Sequence, residues 1–172
     1  GRLYLLRNRG DATFDIPDGW LGPRLGKEYG GITDVALGDI DSDGDLDFTV
    51  PLIFIDAPTH FGVIGNDSKM QVDSRSTHLA SNFGYGFSVG LGDFDSDGDL
   101  DALVGCAIPG ALNVLDNRTV PVAEGGDGIP TFEPYQPIAN LSFVRGLCCV
   151  DIDQDCDLDI LAVDLIASSL VI

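Results

Sequence analysis

Val35-Ala-Leu-Gly-Asp-Ile-Asp-Ser-Asp-Gly-Asp-Leu-Asp47 returns as Val89-Gly-Leu-Gly-Asp-Phe-Asp-Ser-Asp-Gly-Asp-Leu-Asp101 and again as Leu147-Cys-Cys-Val-Asp-Ile-Asp-Gln-Asp-Cys-Asp-Leu-Asp159. The three align without gaps. Their first aspartates, Asp39, Asp93 and Asp151, stand 54 and then 58 residues apart, too long a period for most helical repeats and suited to a four-stranded antiparallel unit. Each acidic core lies between short apolar runs rich in Val, Ile and Phe: Ile32 to Ile40 and Phe48 to Ile55, Phe87 to Phe94 and Ala102 to Ile108, Leu147 to Ile152 and Ile160 to Ile166. Helical spacing of the apolar residues is absent, so these runs predict strands. Phe61 to Ile64, Ala111 to Leu115 and Thr131 to Tyr135 supply further strands, while Gly65 to Ser76 and Ala123 to Pro130 read as loops.

The aspartates have a mechanical reading. Calcium takes six to eight oxygen ligands, and alternate residues of a tight loop aim successive carboxylates inward. The first loop would offer the side chains of Asp39, Asp41, Asp43 and Asp47 with the carbonyl of Asp45. The second would offer Asp93, Asp95, Asp97 and Asp101 with the carbonyl of Asp99, and the third Asp151, Asp153, Asp155 and Asp159 with that of Asp157. Gly44 and Gly98 stand where the loop turns sharply and φ is expected to be positive. In the third loop Cys156 takes that place, which predicts a weaker or distorted site. An EF-hand fails at its twelfth position, which is Val50, Val104 or Ala162 rather than Glu. Solvated turn residues would need no metal, but five carboxylates within nine residues repel one another strongly, and a cation is the simplest compensation.

Composition agrees. The 172 residues carry a formal charge of -19 with only nine Lys and Arg, which excludes a protein that tracks nucleic-acid phosphates. Of the 28 acidic residues 25 are Asp, a turn and calcium-loop residue; only Glu28, Glu124 and Glu133 differ. No uninterrupted apolar stretch of membrane-spanning length occurs, so insertion into a membrane is not expected. Gly1 to Leu6 already reads as a strand, so the chain is expected to begin inside a larger protein.

The stretch Phe83-Gly-Tyr-Gly-Phe-Ser-Val-Gly-Leu-Gly-Asp-Phe-Asp-Ser-Asp-Gly-Asp-Leu-Asp-Ala-Leu-Val-Gly105 resembles the FG-GAP and VCBS repeats, the calcium-binding propeller blades of integrin α-subunits and many secreted proteins. Cys106 to Gly110 looks like the family's trailing turn, and Leu3 to Phe14 is similar to the strand, Asn-x-Gly turn and Phe that end such blades. The resemblance implies an all-β fold of β-propeller blades with four antiparallel strands each. About three blades' worth would lie in one segment, 1–172, with repeat cores near 32–55, 86–108 and 147–166, as part of a larger propeller. It also implies Ca²⁺ as the cofactor, at two full sites and a weaker third.

Three functional readings stay open, because the same propeller serves many proteins. The first is a non-enzymatic, extracellular or cell-surface module in which structural calcium pins the blade hairpins and rim loops contact a protein partner or join copies. The second is a lectin-like propeller that binds glycans through Trp20, Tyr29, Tyr85 or Tyr135. The third is the non-catalytic part of a larger secreted enzyme.

Other motifs have plainer readings. Arg9-Gly10-Asp11 spells an integrin-binding tripeptide but falls in an Asn-x-Gly-Asp turn that explains it. His60 and His78 have no sequence neighbours that would make them catalytic. The sequons Asn66-Asp-Ser68, Asn117-Arg-Thr119 and Asn140-Leu-Ser142 take three of six asparagines and favour secretion. Cys106, Cys148, Cys149 and Cys156 lack zinc spacing. An oxidising compartment would allow Cys156 to pair with Cys148 or Cys149; buried free thiols are the alternative.

Overall fold

The computed structural model describes residues 4–16, 29–54, 60–64, 79–80, 85–107, 110–134, 137–139, 141–166 and 169–171. Among them the chain is all-β apart from one 3-10 turn at Val122–Glu124, and no helix is long and apolar enough to cross a membrane. A small antiparallel hairpin joins β1 (Arg7–Asn8) to β2 (Phe14–Asp15). Three larger antiparallel sheets follow; the second and third are meanders of strands adjacent in sequence, one pairing of the first skips a strand, and among the described residues none of them closes on itself.

The first sheet contains β3 (Tyr29–Ile32), β4 (Ala36–Gly38), β5 (Asp47–Phe54), β6 (His60–Ile64) and β7 (Leu79–Ala80). Both β3 and β4 pair with β5, so the run expected as one strand over Ile32 to Ile40 is broken at 33–35. The break serves contact with the next sheet. Thr33 Oγ1 donates to the Gly86 carbonyl at 3.2 Å, and Asp34 accepts the Val89 N–H at 3.2 Å. The second sheet runs β8 (Tyr85–Gly92), β9 (Asp101–Ala107), β10 (Ala111–Asn117), β11 (Phe132–Pro134). The third runs β12 (Val144–Val150), β13 (Asp159–Asp164), β14 (Ser169–Val171). The strands expected around the acidic cores and between them are present to within a few positions, the strand expected over Gly1 to Leu6 is not seen at its described residues Tyr4 to Leu6, and the loop expected over Ala123 to Pro130 carries the end of the 3-10 turn. The loop expected over Gly65 to Ser76 lies outside the described residues.

The three sheets stack, with the second in the middle. Every residue of β9 is buried, which is why its sequence after Asp101 is a continuous apolar run rather than an alternation. Successive side chains of a strand point to opposite faces. Ala102, Val104 and Cys106 accordingly join Ile40 and Val63 of the first sheet's region in one cluster, together with Val89, Leu115 and Phe132. Leu103 joins Leu112, Val114, Val144 and Ala162 in a second cluster, toward the third sheet. Phe87 and Phe143 add a ring contact at 4.7 Å between centroids, with the Arg145 guanidinium over both rings.

Leu103→Ala removes a fully buried side chain from the second cluster and should destabilise the fold by about 2–5 kcal/mol. Val163→Ala, on an exposed position of β13, should change it by no more than about 0.5 kcal/mol. Equal losses in denaturant titration would show that the middle sheet is not the core.

Candidate metal centre: three aspartate loops

Each acidic core links two strands of one sheet and ends on the first residue of the second: Asp47 opens β5, Asp101 opens β9 and Asp159 opens β13. The backbone of each loop is held by its own carboxylates. The first aspartate accepts two N–H groups from across the turn: Asp39 from Asp43 and Gly44, Asp93 from Asp97 and Gly98, Asp151 from Asp155 and Cys156, all at 3.0–3.2 Å. The aspartate at the fifth position of the pattern, Asp43, Asp97 or Asp155, accepts the N–H two residues on, at Asp45, Asp99 and Asp157. The ninth accepts the N–H of the second residue, at Ile40, Phe94 and Ile152. Four bonds of one design, present in all three loops, establish a common loop structure.

Two left-handed residues make this possible. Gly44 and Gly98 have φ of 94° and 96°, as the sequence predicts, and Cys156 adopts the same turn at 80°. The third loop keeps its shape with a Cβ in a region that disfavours it. Two residues earlier, Ser42, Ser96 and Gln154 also have positive φ, at 57°, 61° and 64°. Nothing in a Ser or Gln announces that conformation.

Carboxylate oxygens converge to within 4.8 Å of one another in each loop: Asp39, Asp41 and Asp43 in the first, Asp93, Asp95 and Asp101 in the second, Asp151, Asp153 and Asp159 in the third. The expected side-chain sets are thus gathered in part. Asp47 and Asp155 stand outside their triads, and Asp97 joins a different one, with Asp95 and Asp116. Asp45, Asp99 and Asp157, expected to ligate through carbonyls, contribute no carboxylate to a triad. The donors are hard oxygens without nitrogen or sulfur, which fits Ca²⁺ and does not fit zinc. Burial pushes the Asp101 carboxyl above the usual range, and the charges of Asp95 and Asp116 add to that against N–H bonds from Asn117 and Phe94. Asp99 is also raised, by desolvation and then by its acidic neighbours. A bound cation would oppose both effects.

Two residues outside the nine-residue pattern belong to this centre. Asp116, 2% exposed, lies on β10 and pairs with Arg118, whose other terminal nitrogen is 3.7 Å from Asp97. Asn117, 1% exposed, donates its amide to the carbonyls of Ile40 at 3.0 Å and Leu100 at 3.1 Å, one in each of two neighbouring loops. Its Oδ1 accepts from the N–H and hydroxyl of Thr119, and its N–H donates to Asp101. Asn117 and Thr119 therefore form a buried clamp, and in the folded chain this sequon has no free amide for a glycan. The only sequence signal for Asp116 and Asn117 is two polar residues closing an apolar strand.

The loops also interlock through apolar contacts. A Cβ built on Gly38 would lie 2.7 Å from Leu100 of the second loop, and one on Gly92 would lie 2.7 Å from Leu158 of the third. The third repeat has Val150 at that position.

The remaining motifs resolve locally. In the Arg9-Gly10-Asp11 turn, Asn8 accepts the Gly10 N–H, Asp11 accepts from Thr13, and Arg9 pairs with Asp15, so hairpin chemistry accounts for all three. All four cysteines are free: Cys106 is buried, Cys149 half-buried, Cys148 and Cys156 exposed. Burial pushes the thiols of Cys106 and Cys149 up to about 12 and about 11. Tyr85 is 40% exposed at the start of β8. Asn66, Asn140, His78, Trp20 and Tyr135 lie outside the described residues, as do the side chains of His60 and Tyr29.

No family model, no curated protein and no solved structure matches the chain.

Asn117→Ala leaves the Ile40 and Leu100 carbonyls and the Thr119 hydroxyl without their partner and should cost about 1–3 kcal/mol. Chemical denaturation of the metal-free variant checks it. A loss below about 0.5 kcal/mol would show that the clamp does not join the loops.

Proposed function

We propose that the chain is a calcium-binding segment of an extracellular β-propeller, related to the FG-GAP and VCBS repeats. In this reading it is non-enzymatic, with calcium structural at the blade hairpins and with rim loops that contact a protein partner or join copies into an assembly. The observation that carries the reading is the loop geometry, repeated three times with the same hydrogen bonds and each time with convergent carboxylates. The four-stranded meander of the second sheet, packed between two others, is what a propeller blade requires of its neighbours. Calcium would act by offsetting the repulsion among the aspartates that hold the loops, so its binding free energy would add to the stability of the folded chain. Millimolar calcium outside cells suits loops of this kind even at modest affinity.

Thermal unfolding in millimolar calcium should occur well above that in excess chelator, and calorimetric titration should find at least two ions per chain. No binding and no shift would reduce the loops to solvated turns. Cys156→Gly, which relieves a left-handed Cβ, should raise the melting temperature by about 2–4 °C, corresponding to about 1 kcal/mol. An unchanged or lower melting temperature would show that the third loop is not weakened by its cysteine.

A further inference from the structure

The second loop differs from the first in what the neighbouring strand brings to it. Leu115 of β10 pairs with Ala102, so the next residue, Asp116, comes beside the end of the loop. Ile64 holds the matching place opposite Phe48 in the first sheet, and the residue after it in the sequence is Gly65, which has no carboxylate. Asp116 is buried. Its Oδ2 pairs with Arg118, and its Oδ1 is buried with no hydrogen-bond partner. An ionised oxygen left so is costly unless something cationic completes it. Oxygens of Asp95, Asp97 and Asp116 lie within 4.8 Å of one another, beside the triad of Asp93, Asp95 and Asp101, and the two triads share Asp95.

We propose that the second loop holds two divalent cations bridged by Asp95, one on Asp93, Asp95 and Asp101 and the other on Asp95, Asp97 and Asp116, with Arg118 as the built-in competitor for the second. The proposal rests on the calcium reading of the loops. Carboxylate-bridged ions about 3.5–4 Å apart are an established arrangement for hard divalent metals. Arg118 suits the role of a displaceable cation: its guanidinium reaches both Asp116 and Asp97, yet its side chain is 48% exposed and can swing into solvent. The second position should therefore fill at higher calcium than the first, because the ion must displace an arginine already paired there.

Calorimetric titration of the full chain with calcium, comparing wild type with Asp116→Asn and Arg118→Gln, tests this. Asp116→Asn should bind one ion fewer than wild type while the other ions keep their affinities. Arg118→Gln should keep the wild-type count and tighten the weakest site by roughly tenfold, the effect of removing about 1.4 kcal/mol of competition. An unchanged count in Asp116→Asn, whether or not one affinity falls, would overturn the second position, since a lower affinity alone would make Asp116 an extra ligand of a single ion. Should Asp116→Asn not fold, Arg118→Gln decides alone: no change in any calcium affinity overturns the proposal. A wild-type chain that binds no calcium would remove the loop reading itself, an outcome distinct from loops that bind normally and ignore both substitutions.

Discussion

In each acidic loop the carboxylate that begins the pattern reaches across the turn and takes two backbone N–H groups, and the form of the chain depends on that bridge. Without it the two left-handed residues of the loop would have nothing to hold them, and the strand opened by the ninth aspartate would lose its register. The same carboxylates that shape the loop also load it with like charge. Geometry and repulsion therefore come from the same atoms, and a divalent cation that neutralises the loop need not rearrange it.

The burial of the middle sheet follows from this arrangement. The first and second loops meet at Asn117, whose amide serves a carbonyl in each, so the first two sheets are fixed by polar bonds at the loop end and by the apolar cluster behind it. On its other face the sheet meets the third through Leu103, Val114 and Val144. A strand such as β9, buried on both faces, cannot slip by one residue without exchanging two different packing surfaces.

What the sequence made legible was local. The aspartate spacing, the turning glycines and the short apolar runs all act within one loop or one strand, and the three repeats, the strands beside them and part of the convergence of carboxylates could be read from them. What escaped depends on residues far apart. The break at 33–35 exists because Thr33 and Asp34 bond to Gly86 and Val89, which lie more than fifty positions on. Asp116 enters the second loop only through the register of β9 and β10, and Asn117 reads as a glycosylation sequon because its tripeptide is the same whether the amide faces solvent or a neighbouring loop. The positive φ of Ser42, Ser96 and Gln154 is imposed by the carboxylate bridge and leaves no mark in those residue types.

The fit of Leu100 against Gly38 and of Leu158 against Gly92 gives the array a direction. The first and second units each present a socket to the unit that follows, and the second and third each a plug to the unit before, so the contact is head to tail rather than mutual. Units built on this rule can be duplicated or exchanged whole without disturbing a neighbour, provided that the cut falls at equivalent points. Val150 changes the grammar. A unit with valine in the socket can follow another but cannot receive the same leucine, so a copy of the third repeat placed earlier in the array would break the series, while copies of the first two could extend it.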